Sequence, residues 1–134
     1  MPSRGLLAAA LAYFAAAFAV AFALGVLRET FVAPRLGGLA AVALEVPILL
    51  TVSWLTARWA VRRFAVAERV SDRLVMGAAA FGLLQAAELA YAAAFGTPPS
   101  VYLGAVATAK GALGMAAQVA FAFMPLVVGP ADRR

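Results

Sequence analysis

The chain of 134 residues has no cysteine and no histidine. Without cysteine there are no disulfides, thiolate zinc sites, iron–sulfur clusters or thiol redox chemistry. Without histidine the commonest transition-metal ligand, the usual haem axial ligand and the commonest general base are missing. No metal and no cofactor is therefore expected, and any chemistry must use Glu, Asp, Lys, Arg, Tyr, Ser or Thr. Charge is scarce as well: 13% of the residues are charged, against about 25% in soluble domains. In their place stand hydrophobic residues, 66% of the chain, the profile of an integral membrane protein. The formal net charge of +5 does not point to nucleic acid, because the arginines cluster where membrane topology places them.

A bilayer core about 30 Å thick needs about 20 apolar residues per helix. Four segments qualify. Residues 5–27 carry no charge, and residues 36–57 carry only Glu45. Residues 74–95 carry Gln85 and Glu88, and residues 101–124 carry Lys110 and Gln118 before Pro125 ends or kinks the helix. The expected fold is all-α, an integral membrane four-helix bundle forming a single transmembrane domain over 1–134. The first segment is too long for a signal-peptide core of about 7–15 residues.

Orientation follows from the arginines. Arg4, Arg58, Arg62, Arg63, Arg69, Arg73, Arg133 and Arg134 fall on one side of four spans, and only Arg28 and Arg35 on the other. Basic residues stay cytoplasmic, which predicts cytoplasmic N and C termini in a multi-pass protein of an inner (plasma) membrane. A homodimer would then be parallel. Trp59 and Tyr102 fall near opposite boundaries, where amphipathic rings prefer to lie. Phe14, Phe18 and Phe22 share one face of the first helix, and packing or lipid contact explains them.

At about 1.5 Å per residue, Glu45 lies roughly 13 Å below the outer boundary, Glu88 roughly 10 Å and Lys110 roughly 13 Å. A charge at the centre of a lone helix costs about 2.5–3.5 kcal/mol on insertion scales. These residues become tolerable if they face one another inside the bundle. Arg28 and Arg35 have side chains long enough to reach the same level, and Gln85, one turn from Glu88, extends the network. Pro47 withholds a backbone donor from the carbonyl of Ala43, and a kink there is expected to open the bundle beside Glu45. With Arg28 included the cluster is neutral, which suits a device that holds helices in register. A carboxylate left unpaired would instead suit proton or cation binding.

Gly104, Thr108, Ala112 and Ala116 recur every fourth residue of the last span, with Gly111 and Gly114 beside them. Gly77 and Gly82 lie in the third. Such smooth faces let helices approach closely. Four short helices enclose little volume, so transport implies a homo-oligomer, and an accessory role implies a larger membrane-protein partner besides the lipid bilayer. Topology alone accounts for the arginines of the central loop.

The run "LGVLRETFVAPRLGGLAAVALEVPILLTVSWLTARW" contains Gly25, Arg28, Pro34, Gly37, Glu45, Pro47, Ser53 and Arg58. Together with "MGAAAFGLLQAAELA", which holds Gly77 and Glu88, it resembles a family of small, uncharacterised bacterial four-helix membrane proteins. That resemblance implies the architecture and carries no activity. Small multidrug transporters place their membrane glutamate in the first helix, which has none here. Membrane-associated glutathione-metabolism proteins have a helix-2 Glu and Pro with an Asn that this chain lacks, and the fluoride-channel pattern is missing. The first expectation is a non-enzymatic accessory, assembly or self-associating component built round Glu45, Glu88, Lys110 and Arg28. The second is a small proton- or cation-coupled transporter or channel using Glu45 or Glu88. The third is a membrane enzyme on a lipid-soluble substrate, disfavoured by the lack of a nucleophile–base pair; no catalytic residue is assigned.

Overall fold

A computed structural model describes residues 4–129, all of whose regular structure is helical. Arg133 and Arg134, used above for orientation, lie outside the described residues. Helix α1 (Arg4–Leu27) runs through a π turn at Arg28–Val32 into the short α2 (Ala33–Leu36). The loop expected after residue 27 is thus helical, and Gly37 alone makes the reversal into α3 (Gly38–Arg63). Its φ of 85° is a conformation that glycine adopts without steric cost. Helix α4 (Val70–Ala94) follows the arginine-rich connection. The last span differs most from expectation. It starts as a short α5 (Pro99–Gly104), tightens into a 3-10 turn at Ala105–Ala107, breaks at Thr108 and restarts as α6 (Ala109–Phe123).

The break has local causes. Thr108 adopts an extended conformation with ψ 158°, and its Oγ1 accepts the Gly111 N–H at 3.0 Å, capping α6. A Cβ on Gly111 would stand 1.9 Å from the Ala105 carbonyl oxygen. Only glycine lets the new helix start this close beneath the preceding turn. The four-residue spacing of Gly104, Thr108, Ala112 and Ala116 is therefore not one continuous helix face, and Ala112 and Ala116 are exposed.

Four helices are long and apolar enough to cross a membrane: Arg4–Leu36, Gly38–Arg63, Val70–Ala94 and Ala109–Leu126. Their exposed surface suits lipid, since large side chains such as Leu11, Leu44, Leu55 and Phe123 all point outward. Helix α1 packs on α3 and α4, and α6 packs on the same two. Among the described residues no close backbone approach joins α1 to α6 or α3 to α4. The bundle is a square with those pairs on its diagonals. Tyr13 bridges one diagonal: its ring stacks on Phe121 at 4.3 Å, and its hydroxyl donates to the Phe121 carbonyl at 2.6 Å.

Packing is uneven along the bundle. The dry core gathers Leu6, Ala9, Ala10 and Tyr13 of α1, Ala57, Ala60 and Val61 of α3, Met76 and Ala80 of α4, and Phe121. The alanines let the helices close tightly there. At Gly77 the approach of α4 to α6 is closest, and a Cβ would sit 1.7 Å from the Ala122 carbonyl oxygen. Arg73, counted above only as a topology signal, is 2% exposed. It donates to the carbonyls of Ala67 at 3.0 Å, Pro125 at 2.8 Å and Val66 at 3.3 Å. The opposite end of the bundle is not filled.

Candidate functional site

There the helices diverge around a cavity of about 870 Å³. The expected shortage of interior volume does not hold, because the second half of α1 and the second half of α4 bury little of their surface. Arg28, Glu45, Glu88 and Lys110 all stand on the wall. They do not form one paired cluster.

Two networks share the cavity. In the first, Arg28 Nη1 donates to Glu45 Oε2 at 2.6 Å, and Arg28 Nε to Glu29 Oε1 at 3.1 Å. Lys110 Nζ lies 3.7 Å from the same Glu29 oxygen. Glu45 is buried and Arg28 half-buried, while Lys110 and Glu29 are exposed. The π turn widens the helix at Arg28–Val32 and carries Arg28 and Glu29 to the cavity together. Such turns are frequent at functional sites. Lys110 belongs to the opening turn of α6, which begins at Ala109, and its stem crosses Gly38.

The second network surrounds Glu88. Oε2 accepts from the Tyr102 hydroxyl at 2.8 Å, and Oε1 from Gln118 Nε2 at 2.7 Å. Gln85 Nε2 donates in turn to Gln118 Oε1. No cation lies within ion-pair distance of Glu88 among the described residues. Tyr102, read above only as a residue near a membrane boundary, reaches from α5 to Glu88.

Two expected members stand elsewhere. Arg35 is exposed and donates to the Phe31 carbonyl at 2.8 Å, a local contact back onto the preceding π turn. Pro47 and Ala43 are also exposed, on the face of α3 turned away from Glu45. Residues two apart on a helix sit about 200° round its axis, so the kink site cannot offer its free carbonyl to the cavity. Gln85 joins the Glu88 network rather than the cavity wall. Glu29, Tyr102 and Gln118 were missed. Glu29 lay in an assumed loop, and nothing in one helix's sequence pairs Gln118 with Glu88.

The rest of the wall is apolar and aromatic. Phe18, Phe22, Tyr91 and Phe95 form a chain of rings with successive centroids at 6.1, 5.8 and 4.7 Å. All four line the cavity, with Tyr102 and Phe121 beyond them. The phenylalanine face of α1, explained above by packing or lipid, is therefore also a cavity wall.

The Arg28–Glu45 pair gives a double-mutant test. Glu45→Gln and Arg28→Met should each lower the unfolding free energy by about 2 kcal/mol, less than the 3–5 typical of a fully buried pair. The double variant should recover much of the loss, whereas Lys110→Met should not rescue Glu45→Gln. Chemical denaturation in detergent checks this.

No protein-family model, curated protein or solved structure matches the chain. The site's own chemistry carries the functional reading.

Proposed function

We propose that the chain is a small multi-pass protein of a bacterial inner membrane, with both termini cytoplasmic. Its cavity binds a lipophilic organic monocation as the cargo step of a small cation transporter. The observation that carries this is the charge on the cavity wall. Arg28 and Lys110 supply two positive charges; Glu29, Glu45 and Glu88 supply three negative ones. The sum is minus one, and Glu88 is the carboxylate with no cationic partner. Counting Glu45, Glu88, Lys110 and Arg28 alone had given neutrality; Glu29 tips the balance.

The wall chemistry supports the same ligand class. Ring faces attract cations, and a cavity within about 300–1,000 Å³ suits a drug-sized ligand. A cation with an apolar body satisfies both the rings and Glu88. The Arg28–Glu45 pair favours the other reading, a self-associating or accessory component, because a neutral pair holding α1 to α3 needs no ligand.

The test compares two hydrophobic ions of one shape and opposite charge. Purified protein in a nonionic detergent is titrated calorimetrically with tetraphenylphosphonium and with tetraphenylborate. Saturable binding of the cation, at least about tenfold tighter than the anion, a difference of roughly 1.4 kcal/mol, is the expected result. Equal affinity, or none for the cation, removes the transport reading and leaves the accessory one.

A further inference from the structure

A second hollow, of about 460 Å³, lies on the outer face of α3 at its C-terminal end, far along the helix from Glu45. Its lining is Leu55, Arg58, Trp59, Arg62 and Arg63. Three guanidiniums share this patch, and among the described residues none has a carboxylate within ion-pair distance. They do not cap the helix either. The carbonyls of Ala60 and Val61 accept the backbone N–H groups of Phe64 and Val66, both at 3.0 Å. Arg62 Nη2 is buried with no hydrogen-bond partner among the described residues. Arg58 lies over the Trp54 ring at 5.1 Å and Arg63 over the Phe64 ring at 5.4 Å. Both guanidiniums rest against rings, and among the described residues no hydrogen bond occupies their N–H groups. An orphaned buried donor among unpaired guanidiniums calls for a multivalent oxygen acceptor, and a phosphate provides one in bidentate geometry.

The position decides which phosphate. This turn ends an apolar helix long enough to span a bilayer, so it sits at the level of the headgroups. Trp59 is half exposed beside it, and Leu55 continues the hollow toward the acyl region. A free anion has no use for an apolar floor, whereas a phospholipid does. We infer that Arg58, Arg62, Arg63 and Trp59 form a binding site for the phosphate headgroup of an anionic phospholipid, with Leu55 under its glycerol and upper acyl chain.

Trp54 and Trp59 are the only two tryptophans, and both touch this patch, so intrinsic fluorescence reads it directly. The protein is reconstituted in phosphatidylcholine with increasing brominated phosphatidylglycerol or brominated phosphatidylcholine, and quenching gives the relative affinity. The wild type should prefer the anionic lipid. Arg62→Gln should reduce that preference roughly fivefold, as expected for one guanidinium near an anionic surface. Arg69→Gln, an exposed arginine on the same connection, should change it less than twofold, as roughly expected of a charge outside the site. Arg62→Lys keeps the charge that orients the chain and should still lose part of the preference, because an ammonium lacks the planar fork. Equal quenching by both lipids in the wild type overturns the site. So does an equal loss in Arg62→Gln and Arg69→Gln, which would mean a diffuse basic surface. Fluorescence changes produced by inorganic phosphate in detergent, without lipid preference in the bilayer, would also overturn it in favour of a free-anion site.

Discussion

Arg73→Met should lower the stability of the protein by about 3 kcal/mol and its melting temperature in detergent by roughly 10 °C. The side chain is buried with no carboxylate in ion-pair contact among the described residues, Glu68 and Asp72 offsetting its charge only from a distance, which at first sight predicts the opposite sign, since removing a poorly compensated buried charge relieves desolvation. The carbonyls decide. Arg73 is the partner of three main-chain oxygens, those of Val66, Ala67 and Pro125, and methionine leaves all three without a donor. A buried, unsatisfied carbonyl costs about 1–3 kcal/mol, and the bonds to Val66 and Pro125 are buried while that to Ala67 is only partly so. The Pro125 oxygen closes the last turn beyond α6, where the helix dipole favours a cation. Arg73 thus fastens the α3–α4 connection and the end of α6 to the start of α4, beside the close contact at Gly77. Arg73→Lys keeps the charge but cannot reach three diverging oxygens, and should recover less than half of the loss. Thermal unfolding followed by near-ultraviolet dichroism measures both variants. A Met variant as stable as the wild type would mean that the bonds only offset the burial of the charge.

The residues of this fold differ in how far their sequence context reveals them. The long apolar runs mark the helices because a bilayer-length stretch without charge has few other uses. The arginines after Ala57 were legible as a group for the same reason. Individually they were not: Arg73 enters the core, Arg62 keeps an orphaned donor, and Arg69 stays exposed, and only packing between distant segments separates them. Pro47 misled because a proline two positions from a glutamate looks like one feature, while helical geometry puts the two on different faces. Thr108 could have been read better. A threonine is a favoured N-cap, and this one follows a Gly-Thr-Pro-Pro turn and a short apolar stretch, but the surrounding hydrophobicity concealed it. Missing that break put Lys110 in the middle of the last helix, when it belongs to the opening turn of α6. Glu45 and Glu88 lie on continuous helices, where position can be counted from a helix end, and Lys110 does not.

Glu88→Gln should weaken tetraphenylphosphonium binding at least tenfold, about 1.4 kcal/mol, and hardly alter the melting temperature. Its amide oxygen can still accept from Tyr102 or Gln118, so the local network loses a charge and keeps most of its bonds. Two unit charges about 5 Å apart at an effective dielectric of about 20 attract by about 3 kcal/mol, ample for the expected effect after screening. Lys110→Gln should act the other way. It takes the wall from a net charge of minus one to minus two and frees one side of Glu29, which should tighten cation binding about two- to fivefold; Lys110 is nearly half exposed, so solvent damps the gain. Opposite signs from two substitutions on one wall separate an electrostatic site from a general loss of shape, because a collapsed cavity would weaken binding in both. Weaker binding in Lys110→Gln, or an unchanged affinity in Glu88→Gln, would mean that the charge on the wall does not select the ligand, and Glu88 would then serve only to join α4, α5 and α6 through Tyr102 and Gln118.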